Sequence, residues 1–597
     1  MAMSGNLAVP TASGRRPRRA GPHLLLAALA LVLIVACFYA VRGLSLFVSP
    51  MLFLAAIFLE VVLLGVLVFA LLAALSAPSN ALRSLAVSAW EGLRTNEYVL
   101  RARASDSRTL LWLGNRLRWD RPTGIWLTAT VVIVAIPLLN FLQLLWTVAT
   151  RGAVTQVDER IANLVPKVRT PGETAFFSEA TMLANSQTII LLAAAAAALL
   201  WWRRQRVAAA VVLATAVGQE VLYSVVKELV ARTRPDVSLA LLDEATHSFP
   251  SGHAMRATVV YGLIAYLLVK AWRSVAARTL AVVGWLIVVL LVGLSRVYLG
   301  VHFATDVWGG MLLGAALLAG AIGTLEIAAR YPIVRGRLLP RMGSSVLIAA
   351  PAAAIVFALV AAPLLIHPQT HPAQERTQAL PSLEASSLSR LPLYSETLTG
   401  ERMEPASFIL VGSEDELIHT FEGHGWDRAD PSTFANTLQA LAVGLQGGRY
   451  PTAPVTPAFM ASQPEAIAFQ KPTAAESLRQ RHHTRIWRTD YTAPDGRPVW
   501  EGTASFDDGI ELAGTAKLPT HHIDPNIDAE RAYITHSLGL ADHFISLTGP
   551  QMGHNASGDE FFTDGRAELL SLAETDVPPE GKAQAGDSGL SIRPQNE

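Results

Sequence analysis

Residues 279–325 read TLAVVGWLIVVLLVGLSRVYLGVHFATDVWGGMLLGAALLAGAIGTL. The two apolar runs in it, 279–295 and 303–325, approach or exceed the about 20 residues that a helix needs to cross the hydrocarbon core of a bilayer. Between them stand Ser295 and Arg296, then His302 and Asp306, polar groups at a depth where lipid penalises them unless they have a function. The stretch specifies a membrane helix, a polar functional segment and a second membrane helix.

Working outward, runs of the same kind recur at 23–41, 52–76, 124–149, 187–202, 207–226, 255–271 and 345–366, which makes nine expected spans. The composition agrees: of 597 residues 51% are hydrophobic and only 16% charged, against about a quarter in soluble proteins. Net charge is zero, but it hides an opposition. Residues 1–366 carry 32 basic and 16 acidic groups, and residues 367–597 carry 16 and 32. The fold class is therefore an all-α polytopic membrane protein followed by an acidic soluble domain. The single cysteine, Cys37, excludes an intramolecular disulfide, a thiolate zinc site and an iron–sulfur cluster. An acidic soluble region would be repelled by phosphates, so nucleic acid is not an expected partner.

With the N-terminus in the cytoplasm, 22 of the 32 basic residues fall in inside loops, which fits the bias that orients membrane proteins. The arginines at 15, 16, 18 and 19 then flank a retained anchor helix rather than a cleaved leader. Residues 77–122 are expected as a basic amphipathic segment on the inner surface. Nine spans put everything after residue 366 outside. The expected organisation is a two-span region with its basic segment at 1–122, a six-span core at 123–327, a loop and ninth span at 328–366, a linker at 367–395, a soluble domain at 396–574 and a disordered tail at 575–597.

Three polar clusters end or open apolar runs on the same expected outer face. Lys227, Arg234 and Pro235 close one run; Pro250, Ser251, Gly252 and His253 open the next; Ser295, Arg296, His302 and Asp306 join the last two. Three cations at helix ends call for an anion, and a phosphate suits the planar forks of Arg234 and Arg296 with Lys227 as a point charge. Ser251 and Gly252, just before a helix, add a hydroxyl and backbone N–H groups at its positive end. His302 and Asp306, four apart, share one helix face in this reading, so the carboxylate can hold one ring nitrogen and leave the other to attack phosphorus. His253 remains as the acid that protonates the leaving oxygen and then the base that activates water. Glu220, two turns before Lys227, is read as a partner of the cationic site or a neutral helix contact. Arg232 and Arg256 are read as solvated or lipid-facing, and Glu60 receives no role.

The clusters match Lys-x6-Arg-Pro, Pro-Ser-Gly-His and Ser-Arg-x5-His-x3-Asp, eleven specified positions in order. In this the sequence resembles the type-2 phosphatidic acid phosphatase superfamily of lipid phosphate phosphatases, bacterial acid phosphatases and vanadium haloperoxidases. The resemblance covers residues 123–327 and implies a phosphohistidine on His302, Asp306 as its orienter, His253 as acid and base, and neither metal nor cofactor. The implied substrate is a lipid phosphate, with undecaprenyl pyrophosphate, phosphatidate and phosphatidylglycerol phosphate left open, in a bacterial inner membrane. The alternatives are a phosphotransferase between lipids and a non-catalytic headgroup-binding scaffold. A scaffold has no need of a His–Asp pair.

In the soluble region, strands are expected at 407–412, 466–470, 483–490 and 498–505, a turn at 507–509, and helices at 414–425 and 529–544, giving an α/β domain. The stretches 481–487 and 520–525, with Asp528, Glu530 and Arg531, resemble the LssY C-terminal domain, a resemblance that supplies no function and no partner. His482, His483, His521 and His522 are candidates for a metal site. Adjacent strand residues point to opposite faces, however, which sets a hydrogen-bonded network or ligand pocket against that reading.

Overall fold

The computed structural model describes residues 21–44, short stretches between 59 and 118, then 121–331 and 377–572 with breaks at 237–238, 447, 474–479, 514–517, 542 and 557. The expected span at 52–76 lies largely outside the described residues, and Glu60, the ninth span and the tail from 575 lie wholly outside them.

Among the described residues of the first half the helices are α1 (Gly21–Leu44), α2 (Arg108–Arg116), α3 (Pro122–Ala149), α4 (Ala153–Leu164), α5 (Pro171–Thr181), α6 (Ser186–Trp202), α7 (Arg206–Val230), α8 (Gly252–Ala271), α9 (Val275–Tyr298) and α10 (Ala304–Ala328). Among the described residues, α3, α7, α8, α9 and α10 are long and apolar enough to span a bilayer. The segment Pro171–Ala184 and α6 meet at 43° and make a sixth span if counted together. The run 187–202 is thus half of a bent pair, its break set by Asn185, whose side chain caps α6 through the Ser186 N–H. Outward faces stay apolar: Ile133, Leu139, Trp146, Leu229 and Leu280 are all exposed, as lipid rather than water around the bundle demands. α8 runs through the middle and is the most enclosed of the described spans, its Met255, Val259 and Leu263, with Phe249 just ahead of the helix, sharing one core with Leu313, Leu318 and Leu325 of α10.

The second half is a mixed sheet. Its strands are β1 (Gln378–Ala379), β2 (Tyr394–Glu396), β3 (Arg402–Val411), β4 (Asp427–Arg428), β5 (Phe459–Met460), β6 (Gln463–Pro464), β7 (Ile467–Pro472), β8 (Arg481–Thr492), β9 (Pro498–Thr503), β10 (Ser505–Ala513), β11 (Leu518–Ile523), β12 (Phe544–Ser546) and β15 (Arg566–Ser571), with β13 (Gln551–His554) and β14 (Glu560–Thr563) as a separate hairpin. Helices α11 (Ala385–Leu388), α12 (Glu414–Gly423), α13 (Phe434–Gln446) and α14 (Ile527–Ser537) complete it. Leu417 and Phe421 of α12, with Ile534 of α14 and Leu538 at its C-cap, bury one face against Phe408, Ile486 and Trp500.

Two expectations need correction. The later part of the supposed linker is structured: β1 pairs in parallel with β8, and Leu380, Leu388 and Leu391 are buried against Ile409 and Val499. Three leucines scattered among Pro and Ser suffice to anchor the segment. Asp507-Asp508-Gly509 is not a turn; it lies inside β10 at a bulge, which aims Asp507 inward.

Candidate active site

The motif residues meet at one end of the bundle. Lys227 is buried on the last turn of α7, which closes at Ala231, left-handed at φ 47°. Its Nζ donates to Thr246 Oγ1 at 2.9 Å. Past this turn Arg234 donates to the Thr246 carbonyl at 2.7 Å and to the Val301 carbonyl, and its Nη1 lies 3.5 Å from His302 Nε2. Arg296, on the last turn of α9 and 1% exposed, donates to Thr181 Oγ1 at 2.9 Å. Ser251 caps α8, accepting from the Ala254 N–H at 3.5 Å, while its own N–H donates to the Asp306 carbonyl at 2.9 Å. Gly252 leaves room for Tyr223, whose ring would lie 3.3 Å from a Cβ at that position.

His302 and Asp306 meet, though not as two positions on one helix. His302 lies just ahead of α10, and Asp306 is the third residue inside it, where its Oδ2 reaches back to accept from the Phe303 N–H at 2.8 Å. The same oxygen takes the Ser248 hydroxyl and lies 3.4 Å from His302 Nδ1. Both side chains are buried. His302 therefore turns Nδ1 to a carboxylate and Nε2 toward Arg234. His253, half-buried on the first turn of α8, makes no hydrogen bond among the described residues and lies within Coulombic range of His302, Arg296 and Lys227.

Sequence reasoning missed the anion already in place. Glu244, on the loop between α7 and α8, is ion-paired with Arg296 and lies 3.7 Å from Arg234. Burial raises its carboxyl, but the Arg296 and Arg234 guanidinium groups outweigh that and hold it below its usual range. The only signal was an acidic pair, Asp243-Glu244, between two cationic motifs.

The neighbouring charges also differ from expectation. Glu220 partners Arg256 and not Lys227, accepting from it at 2.7 Å on each oxygen, while Arg256 also donates to Tyr223 Oη at 2.7 Å. Arg256 is therefore buried in a fork rather than facing lipid or water. Arg232 is likewise engaged: it donates to Asp306 Oδ1 at 2.7 Å, to Thr305 Oγ1 at 2.8 Å and to Asp158 Oδ2 at 2.8 Å.

In the C-terminal domain the four candidate histidines face three carboxylates, two of the histidines sharing Asp507. His483, buried, and His521 turn Nδ1 toward Asp507 at 3.4 and 3.5 Å. His482, on the opposite face of β8, bonds Glu530 at 2.9 Å and stacks on Tyr533 at 3.8 Å, and His522 bonds Asp508 at 2.5 Å. Arg481 donates to Asp507 at 3.0 Å and to Gln470 at 2.6 Å. The arrangement is a paired polar network; no group of three metal-ligating side chains converges among the described residues.

The comparisons with known proteins divide the chain as its geometry does. The family model "PAP2 superfamily" matches residues 206–326, and "LssY C-terminus" matches 388–567. The chain is 36% identical to phosphatidylglycerophosphatase B of Bacillus subtilis (strain 168) over 184 residues, 30% of this chain and 90% of that protein. It is 34% identical to the crystal structure of the first transmembrane PAP2 type phosphatidylglycerolphosphate phosphatase from Bacillus subtilis, covering 32% of this chain and 96% of that one, with a TM-score of 0.31. The chain belongs to the PAP2 superfamily. It is a membrane lipid phosphatase with an LssY-type C-terminal domain.

Proposed function

We propose that the protein removes a terminal phosphate from a membrane lipid on the outer leaflet through a phosphohistidine at His302, without a metal ion. The observation that carries this reading is the buried His302, its Nδ1 3.4 Å from Asp306 and its Nε2 3.5 Å from Arg234 beside a cationic cradle. Lys227, Arg234 and Arg296 take the phosphate oxygens once Glu244 yields, assisted by Ser251 and the N–H groups that open α8. The Nε2 lone pair forms the N–P bond, the P–O bond to the lipid breaks, and His253 gives its proton to the departing oxygen. Water, losing a proton to His253, then attacks phosphorus; phosphate leaves and His302 regains its lone pair. Asp306 holds the Nδ1 proton throughout.

Phosphatidylglycerophosphate is the first substrate to try, because a relative that the chain matches over 90% of its length bears that activity in its name. Phosphatidate and undecaprenyl pyrophosphate come next. The basic loops supply the argument for the outer face. The division into a core at 123–327 and an exported domain at 396–574 belongs to the same reading, with the domain's start moved forward to include the buried Leu380. The test is phosphate release by the full-length protein in detergent with chelator present. Wild type should turn over at least one of the three lipids, and His302→Ala, still folded, should turn over none. Retained activity in His302→Ala would overturn the nucleophile, and loss of activity to chelator would overturn the metal-free route.

A further inference from the structure

Between the site and the soluble domain lies α4, a twelve-residue helix that touches both. On its bundle side Asp158, 2% exposed, accepts from the Thr305 N–H at 3.0 Å, from the Thr305 hydroxyl and from Arg232 at 2.8 Å. Arg232, its guanidinium 4.2 Å from the Phe303 ring centroid, continues to Asp306 at 2.7 Å. Asp158 thus holds Arg232, which holds the orienter of His302, and Thr305, the residue just before that orienter. Neither Asp158 nor Arg232 is a specified position of the three motifs.

Two residues on, about 200° round the helix, the other side of α4 is gripped by the soluble domain. Arg160, 3% exposed, pairs with Glu396 of β2 and donates to the Leu398 carbonyl at 3.3 Å. The loop is shaped around it: Gly400 sits at φ +89°, and a Cβ there would lie 2.9 Å from Arg160 Nη1. Three residues further, on the same face, Asn163 donates to the Ser462 carbonyl at 2.9 Å. That carbonyl belongs to the two-residue turn between β5 and β6, where Ala461 (φ 49°) and Ser462 (φ 66°) are both left-handed. Two consecutive non-glycine residues in that region are strained, and such strain persists only where surrounding contacts over-determine it. The contact with α4 is one such determinant.

We propose that the soluble domain sets the activity of the membrane site through α4: its grip on Arg160 and Asn163 fixes the helix, and Asp158 and Arg232 act as positioning residues for Asp306 and His302. This rests on the phosphatase reading, yet it predicts a behaviour that reading does not. A misplaced dyad weakens only what needs an oriented imidazole, because the cradle of Lys227, Arg234 and Arg296 has other supports. A reacting group displaced by a fraction of an ångström loses rate and leaves ground-state binding intact.

The test is a charge swap in the full-length protein, read by binding and by rate. Arg160→Glu and Glu396→Arg should each weaken orthovanadate binding about tenfold, since vanadate takes a fifth bond from an oriented imidazole, and should leave inorganic phosphate binding unchanged. Lipid turnover should show a kcat about tenfold lower at unchanged KM. The double variant, with the pair restored in reverse, should recover vanadate affinity and kcat to within about twofold. Asp158→Asn, which keeps an acceptor for Thr305 but loses the charge facing Arg232, should behave like the single variants and gain nothing from the swap. The proposal falls if the single variants leave vanadate affinity unchanged, if vanadate and phosphate affinities drop together, if the swap restores nothing, or if the wild type binds no vanadate. A wild type that binds vanadate with this pattern but hydrolyses no lipid would contradict the phosphatase reading alone.

Discussion

At His302 the argument reduces to which nitrogen faces which charge. Its Nδ1 approaches Asp306 and its Nε2 faces Arg234, so the ring is presented to an anion held by guanidinium groups. That anion is at present the Glu244 carboxylate, ion-paired with Arg296. Removing this half-buried partner charge leaves cations that bind another anion more strongly. Glu244→Gln is therefore expected to lower the inhibition constant of inorganic phosphate about tenfold, the size of one screened charge interaction. An inhibition constant that rises instead would mean Glu244 orders the arginines rather than competing for them. The motif residues Lys227, Arg234, Ser251, Gly252, His253, Arg296, His302 and Asp306 were legible because the sequence keeps their chemistry at fixed spacing beside apolar runs. Glu244, Asp158 and Arg232 were not, because their partners lie on loops and helices distant in the chain and no local period records such pairs.

The elements place these residues through close packing. α10 can approach the start of α8 because Gly309 and Gly310 lack side chains: a Cβ on Gly310 would lie 2.4 Å from the Ser251 carbonyl, and one on Gly309 2.7 Å from the Phe249 ring. Small residues at such crossings let membrane helices touch backbone to backbone. The spans α3, α7, α8, α9 and α10 were readable from their apolar runs, since lipid leaves no other way to satisfy the backbone. The bend at Asn185, the bulge at Asp507 and the burial of Leu380 were not, because each depends on a neighbour far along the chain. In the sheet, β9 and β8 carry groups whose titration sets domain stability. Burial pushes Glu501 up to about 8 from an ordinary 4.5, and burial pushes His483 down to about 3 from 6.5, beyond what Asp507 restores. For Glu501 the folded state keeps a proton that the unfolded chain loses, so its contribution is full below 4.5 and disappears as pH rises through 8. For His483 the unfolded chain takes the proton first, so its contribution is full above 6.5 and is lost as pH falls toward 3. Melting of the full-length protein should give a lower Tm for the soluble domain at pH 8 than at pH 6, and Glu501→Gln should flatten that alkaline decline alone. An unchanged slope in the variant would show that Glu501 is not the group responsible.

Across the whole molecule, a basic membrane half and an acidic soluble half divide two tasks that the charge arithmetic announced, with 32 basic residues before position 367 and 32 acidic ones after it. The division is not a separation. α4 carries Asp158 toward the dyad and Arg160 toward Glu396, so one helix bears an ion pair to each half. Composition shows that both halves exist, and no residue period shows that they touch. The central claim is that His302 itself carries the phosphoryl group between lipid and water. The most direct measurement is rapid acid-free quenching of wild type and His302→Ala mixed with phosphatidylglycerophosphate labelled in its terminal phosphate. A base-stable, acid-labile label on the wild-type protein, lost on a cold chase and missing from His302→Ala, is the predicted result. Turnover of the lipid with no protein-bound label at any quench time, or with equal label on His302→Ala, would contradict it.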